Sequence, residues 1–186
     1  GYTGAPYLCA HAAVRSGCGL VYLGVPSCIW TVEAAKCVCA MPFPLPEEGG
    51  MLAERAAVPL LERLAGCEVL ALGPGLGRSE ELTRLVQAVL SVCRAPLVLD
   101  ADGINAVAAH IDVLRGCACP VVLTPHDGEF LRMGGDPKAA DRTQEAMRLA
   151  NRTHAVLLLK GSRTIITDGL NVYVNHTGNP GLATGG

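Results

Sequence analysis

Apolar residues along this chain fall into short blocks of two kinds, and the kinds alternate. Pro6 to Ser16, around LCAHAAVRS, is alanine-rich with helical spacing. GLVYLGV, Gly19 to Val25, reads as a short strand. AKCVCAMPF, Ala35 to Phe43, reads as a second strand, stopped by Pro42, Pro44 and Pro46. Met51 to Ala65 repeats apolar positions with a helical period, and Pro59 within it marks a kink or break. EVLALGPGLG is a strand running into a glycine loop. In SEELTRLVQAVLSVC, Ser79 stands at a helix N-cap, with Glu80 and Glu81 in the first turn where the helix dipole favours acids.

The alternation continues to the end of the chain. APLVLDADGIN is a strand ending in acids, and PVVLTPHDGEF is a strand ending in a polar turn that becomes helical at Phe130. Lys138 to Arg152 reads as a helix, HAVLLLKGSRT as a strand ending in Lys-Gly, and TIITDGLNVYVN as a hairpin across Asp168-Gly169. Strands that are near-continuous Val/Ile/Leu runs, alternating with helices, predict an α/β fold. Its central sheet is mostly parallel, with helices on both faces.

Composition adds bounds to this picture. A length of 186 residues suits one domain, residues 1–186, and a hydrophobic fraction of 50% supplies its core. The net charge of −2, with no basic stripe, argues against nucleic acid as a partner. No apolar run reaches the roughly 18 residues of a membrane helix, and no signal peptide is visible. The nine cysteines are odd in number, with no zinc-type C-x2-C pair. They read as reduced, mostly buried thiols in a cytoplasmic protein.

The polar residues cluster just after successive strands: GPGLG after VLAL, DADGIN after LVL, TPHDGE after VVL and KGSRT after VLLL. Open α/β sheets bind ligands in the crevice outside those strand ends. Four polar strand ends in series therefore predict one site. Each element alone is ambiguous. GPGLG brings backbone amides close to an anion, or makes a tight turn. Asp100 and Asp102 could hold a metal or a ribose, or Asp102 caps the helix through Ala108. His126 stands at the strand end beside the acids Asp127 and Glu129, or is structural. Lys160 offers phosphate a point charge with Ser162 and Thr164 as hydroxyl donors, or is merely exposed.

Taken in order, GYTGAPYLCAHAAVRSGCGLVYLGVP, LALGPGLGRS, PLVLDADGIN, VLTPHDGEF, LLKGSRTIITDG and VYVNHTGNPGLATGG resemble the NAD(P)H-hydrate dehydratase family, over essentially the whole chain. The resemblance implies a ribokinase-like three-layer fold. The implied activity is repair of hydrated NADH or NADPH: the ring hydroxyl is phosphorylated by ADP or ATP, with Mg2+, and phosphate is lost. The alternatives are a small-alcohol kinase of the same fold and a nucleotide-binding module without catalysis.

Carried over by motif, the resemblance puts Ala5, Gly75, Gly77 and His126 against the hydrate. It puts Lys160, Gly161, Ser162, Arg163, Thr164 and Gly186 against the adenine nucleotide, and Glu129 near magnesium. Where the family commonly has proline, this chain has Asp127. The family's catalytic aspartate, in a G-[ST]-G-D loop, is expected after Gly186, and the family domain is expected to extend beyond both ends. Residues 1–186 alone are then expected to be inactive. A fused epimerase domain and a homo-oligomer are further implications.

Overall fold

The computed structural model describes residues 2–179 and residue 181. The chain enters through helix α1, Gly4–Arg15, and strand β1, Tyr22–Pro26. A 3-10 turn, Ser27–Ile29, leads into α2, Trp30–Lys36, and then β2, Met41–Leu45. β1 and β2 pair in parallel. A small antiparallel hairpin follows, β3, Glu47–Glu48, with β4, Met51–Leu52, before α3, Ala57–Leu64.

From there strand and helix alternate: β5 Leu70–Leu72, α4 Glu80–Val92, β6 Leu97–Leu99, α5 Asp102–Val107, and a 3-10 stretch Ala108–Gly116. β7 Val121–Leu123, α6 Asp127–Arg132, α7 Arg142–Thr153 and β8 Val156–Leu159 come next. β9 Ile165–Thr167 and β10 Val172–Val174 end the described fold. The main sheet has the order β10-β9-β8-β7-β6-β5. The pairs from β5 to β8 are parallel and the last two are antiparallel. The sheet is thus mostly parallel, as the alternation predicts, with helices packed against it.

Strand register separates the two faces. Leu72, Leu99, Leu123 and Leu157 lie side by side, and all are buried against α3 to α7. The neighbouring row, Ala71, Val98, Val122 and Val156, points the other way and is only half-buried or exposed. Helix α4 shows why sequence specifies this layer. Ser79 Oγ accepts from the Leu82 amide at 3.1 Å. Leu82, Leu85, Val86, Val89 and Leu90 then recur on one face and enter the core.

Several elements differ from the sequence reading. The second strand begins at Met41 and runs through Pro42 and Pro44 rather than stopping before them. The Met41 amide donates to Val21 O at 2.8 Å, so alternation turns both proline nitrogens to the edge away from β1. The helix expected from Met51 starts at Ala57, because Met51 pairs in β4. Pro59 then falls in the first turn, where no amide partner is lost. α7 starts at Arg142 because the Asp141 carboxylate caps Thr143 and Gln144.

The hairpin has a four-residue loop, not a two-residue one, since Thr167 pairs with Val172. Asp168 accepts from the Leu170 and Asn171 amides, which organises that loop and holds its carboxyl down at about 2. All nine cysteines are free, but only Cys93 and Cys119 are buried, while Cys18, Cys28 and Cys39 are exposed. Burial of most thiols is therefore corrected. The exposed ones sit around α1 and α2, which bury few side chains.

Candidate functional site

The glycine loop after β5 is pressed onto its neighbours. Gly73 has φ +136°, and a Cβ there would stand 1.7 Å from the Asp100 carbonyl oxygen. That oxygen accepts from the Gly103 amide at 2.9 Å. Only glycine fits this approach. One residue pair further, Gly75 has φ +75°, and a Cβ would meet Pro6 Cδ at 2.8 Å and Ala5 Cβ at 3.2 Å. The first turn of α1 therefore lies directly on the loop, and the Tyr2 amide donates to Gly75 O at 3.3 Å. Ala5 and Gly75, far apart in sequence, come together.

Asp102 does not cap its helix; Ala101 occupies that position. The Asp102 carboxylate instead accepts from the Gly77 amide at 2.9 Å and from Asn105 Nδ2 at 3.2 Å. Arg132 Nε donates to Asn105 Oδ1 at 2.7 Å, so α6 joins the same chain of bonds. A cavity of about 530 Å³ opens beside Gly77, Arg78, Asp102, Asn105 and Arg132.

After β7 the geometry is polar. His126 is the N-cap of α6, which begins at Asp127 and not at Phe130. Its Nδ1 accepts from the Gly128 amide at 2.9 Å, while Glu129 Oε2 accepts from the His126 amide at 2.9 Å. This reciprocal capping explains the earlier helix start. His126 Nε2 lies 3.1 Å from Glu129 Oε1; because Nδ1 accepts, Nε2 is the nitrogen that carries the proton in the neutral ring. The His126 side chain is 54% exposed and that of Glu129 only 5%.

Lys160 links the two halves. Its Nζ donates to Asp100 Oδ1 at 2.8 Å and stands 3.9 Å from Glu129 Oε2. Its amide donates to Pro125 O at 2.8 Å, which fixes the start of the KGSRT turn beside TPH. Cys9 of α1 lies near this pair: burial, then the Asp100 charge, push its thiol pKa up. Thr164 Oγ1 donates back to Gly161 O at 3.1 Å, closing the turn on itself. Gly161, Ser162 and Arg163 line a second cavity of about 560 Å³ together with Asp127, Arg142, Thr143 and His176.

Glu129 has little left for a metal, since both oxygens face His126. Among the described residues no group of three His, Cys, Asp or Glu could hold an ion. These residues offer magnesium no protein cage. Gly186 lies outside the described residues. Among these residues no helix is long and apolar enough to cross a membrane.

Arg142 and Glu33 carried no local signal. Arg142 makes its contacts across the fold: to Asp127 Oδ1, and to Lys160 O at 3.2 Å. Glu33 is fully buried on α2; its Oε2 has no hydrogen-bond partner among the described residues, and its Oε1 is 3.5 Å from Lys36 Nζ. Lys36 also donates to Thr3 O at 3.3 Å, at the turn that delivers Ala5.

The chain is 47% identical to a bifunctional NAD(P)H-hydrate repair enzyme Nnr of Moorella thermoacetica and 41% identical to that of Gloeobacter violaceus. Each match covers 100% of this chain and 36% of the relative, so the chain spans about a third of their length. Among solved structures, a ribokinase-like superfamily protein of Enterococcus faecalis V583 superimposes with a TM-score of 0.81 at 25% identity. A hypothetical protein of Streptococcus mutans does so at 0.80 and 26%. These cover 99% of this chain and 62% and 64% of the two neighbours. The family model for NAD(P)H-hydrate dehydratase matches residues 1–186, and the chain belongs to that family.

Proposed function

We propose that the protein repairs hydrated NADH and NADPH by nucleotide-dependent dehydration, with the hydrate against Ala5, Gly75, Gly77 and His126. The adenine nucleotide, ADP or ATP, takes the Lys160–Thr164 turn. The observation that carries this reading is the Lys160–Asp100 pair, which spans 60 residues of sequence. It ties the KGSRT turn to the end of β6, whose Asp100 carbonyl abuts Gly73 of the glycine loop, so a phosphoryl donor on one can reach an acceptor on the other.

The chemistry follows from the leaving group. Hydroxide leaves poorly, so the ring hydroxyl passes its proton to a base and takes the terminal phosphoryl group of the nucleotide, releasing AMP from ADP or ADP from ATP. The ring nitrogen lone pair then expels phosphate. Loss of a proton from the adjacent ring carbon restores the double bond. The chain's own contribution is position and charge. Gly75 and Ala5 shape a close-fitting wall for the ring. His126, fixed by its capping bonds, offers an exposed imidazole beside it. Lys160, held between Asp100 and Glu129, places positive charge near the transferring group. The relatives' description as bifunctional supports a second activity in the full-length protein, for which the family resemblance implies an epimerase.

The test uses that full-length protein with chemically prepared NADH hydrate, magnesium, and ADP or ATP in parallel. Absorbance of reduced nicotinamide rises with at least one nucleotide. A stable phosphorylated product with no rise would identify an alcohol kinase instead. Binding of nucleotide without either outcome would leave a binding module.

A further inference from the structure

The cavity beside the KGSRT turn contains an arginine in an electrostatically poor place. Arg142 is the first residue of α7, where the helix dipole disfavours a cation. Its guanidinium is nevertheless held inward, with the side chain 27% exposed. Nη2 donates to the Asp127 carboxylate and to Lys160 O at 3.2 Å, and Nη1 donates to Pro137 O at 3.4 Å. A guanidinium has five N–H donors, so two of them have no protein acceptor among the described residues. Gly161 leaves room for it: a Cβ there would already be in contact with Nη2, at 3.4 Å.

Among the described residues, the charges facing this cavity are Arg142, Arg163 and Asp127, with His176 as the titratable neighbour. With His176 neutral they sum to about one positive charge, and Asp127 is the only acid among them. The hydroxyl-bearing Ser162 and Thr143 complete a lining that suits an anion.

We propose that Arg142 binds a phosphate oxygen of the adenine nucleotide, and that Asp127 competes with that phosphate for the guanidinium. This rests on the nucleotide lying at Lys160–Thr164. Arg142 then does two things at once. It positions the turn through the Lys160 carbonyl, and it supplies a charged donor fork that a phosphate can take over. Asp127, with its side chain 58% exposed, holds the fork in place when no nucleotide is bound and weakens nucleotide binding by the same contact.

The two residues are distinguishable because a plain structural clamp and a competition give opposite signs. If the ion pair only holds the turn together, breaking it from either side weakens nucleotide binding. If Asp127 competes with phosphate, removing its charge strengthens binding while removing Arg142 weakens it.

The experiment is calorimetric titration of the full-length protein with ADP and with ATP. Asp127→Asn is expected to tighten binding by about threefold, an effect that shrinks at high salt. Arg142→Met is expected to weaken it by about tenfold or more. In the double variant the Asp127 change has no further effect. Asp127→Asn that weakens binding, or leaves it unchanged, overturns the competition. Ser162→Glu separates this from the underlying reading, since it places an acid in the cavity itself. If Ser162→Glu leaves binding intact, the nucleotide lies elsewhere and both readings fall. If it abolishes binding while Asp127→Asn and Arg142→Met do nothing, only the role of Arg142 falls.

Discussion

The two halves of the candidate site are built by different physics. Around β5 and β6 the loop is held by close backbone approach: Gly73 on the Asp100 carbonyl, Gly75 on Pro6 and Ala5. Around β7 and β8 it is held by charge and capping: His126 with Glu129, Lys160 with Asp100, Arg142 with Asp127. The first half leaves no room for added volume at Gly73 and Gly75, and its charged tie is the Asp102 carboxylate, which meets Gly77 and Arg78. The second is more open and depends on ionisable partners. A ring-shaped substrate needs a fitted wall, and a polyphosphate needs cations, so the division matches the two ligands proposed.

The largest effect should come from volume in the first half. Gly73→Ala forces a methyl group against the Asp100 carbonyl at a backbone angle alanine resists. It should cost about 4 kcal/mol and lower the thermal midpoint by roughly 10 °C. A midpoint within a degree or two of wild type would show that the loop gives way easily and that close approach does not hold it.

Charge in the second half comes next. Lys160→Met leaves Asp100 and the buried Glu129 without their shared cation. Because Lys160 and Asp100 are partly exposed, stability should fall by only about 1 kcal/mol. Turnover by the full-length protein should fall more steeply, about tenfold to a hundredfold in kcat/KM. Equal losses in stability and turnover would reduce Lys160 to a structural tie.

His126 allows its two roles to be separated. His126→Ala removes the acceptor for the Gly128 amide and should lower the urea midpoint by an amount equivalent to about 1 kcal/mol. His126→Asn restores a good cap, so stability should return. If the ring touches the hydrate, KM for the hydrate stays raised in that variant; full recovery of KM would assign His126 to capping alone.

The smallest effect lies at the other end of the sheet and serves as a control. Burial, then its neighbour Cys93, push the Cys119 thiol up from 9.0 to about 11. A folded-state value above the unfolded one favours the fold while the thiol stays protonated. That contribution is complete below about pH 9 and is lost as pH rises towards about 11. The urea midpoint should fall across this window, and the fall should be shallower in Cys119→Val. An identical slope in that variant would place the titration in another group, the charged half of the site included.

Much of this was legible from local pattern. Ser79 and its acids announce α4, and the four polar strand ends announce one crevice, because cap chemistry and strand termination are written in neighbouring residues. Other features were not. Pro42 and Pro44 read as stops until the Met41 bond shows which edge they face. Arg142 meets Asp127 and Lys160 at separations of 15 and 18 residues, which no local pattern encodes. The buried, half-satisfied Glu33 is equally silent in sequence, since its helix carries no other buried residue to mark an inward face.

The division between the two halves is tested most directly by steady-state kinetics of the full-length protein with both substrates varied. Ala5→Leu crowds the wall at Gly75, and Ser162→Glu places an acid in the nucleotide cavity. Ala5→Leu should raise KM for NADH hydrate and leave KM for the nucleotide near wild type, and Ser162→Glu should do the reverse. If each variant raises both values alike, or the pattern is inverted, the two halves do not serve two ligands in the way proposed.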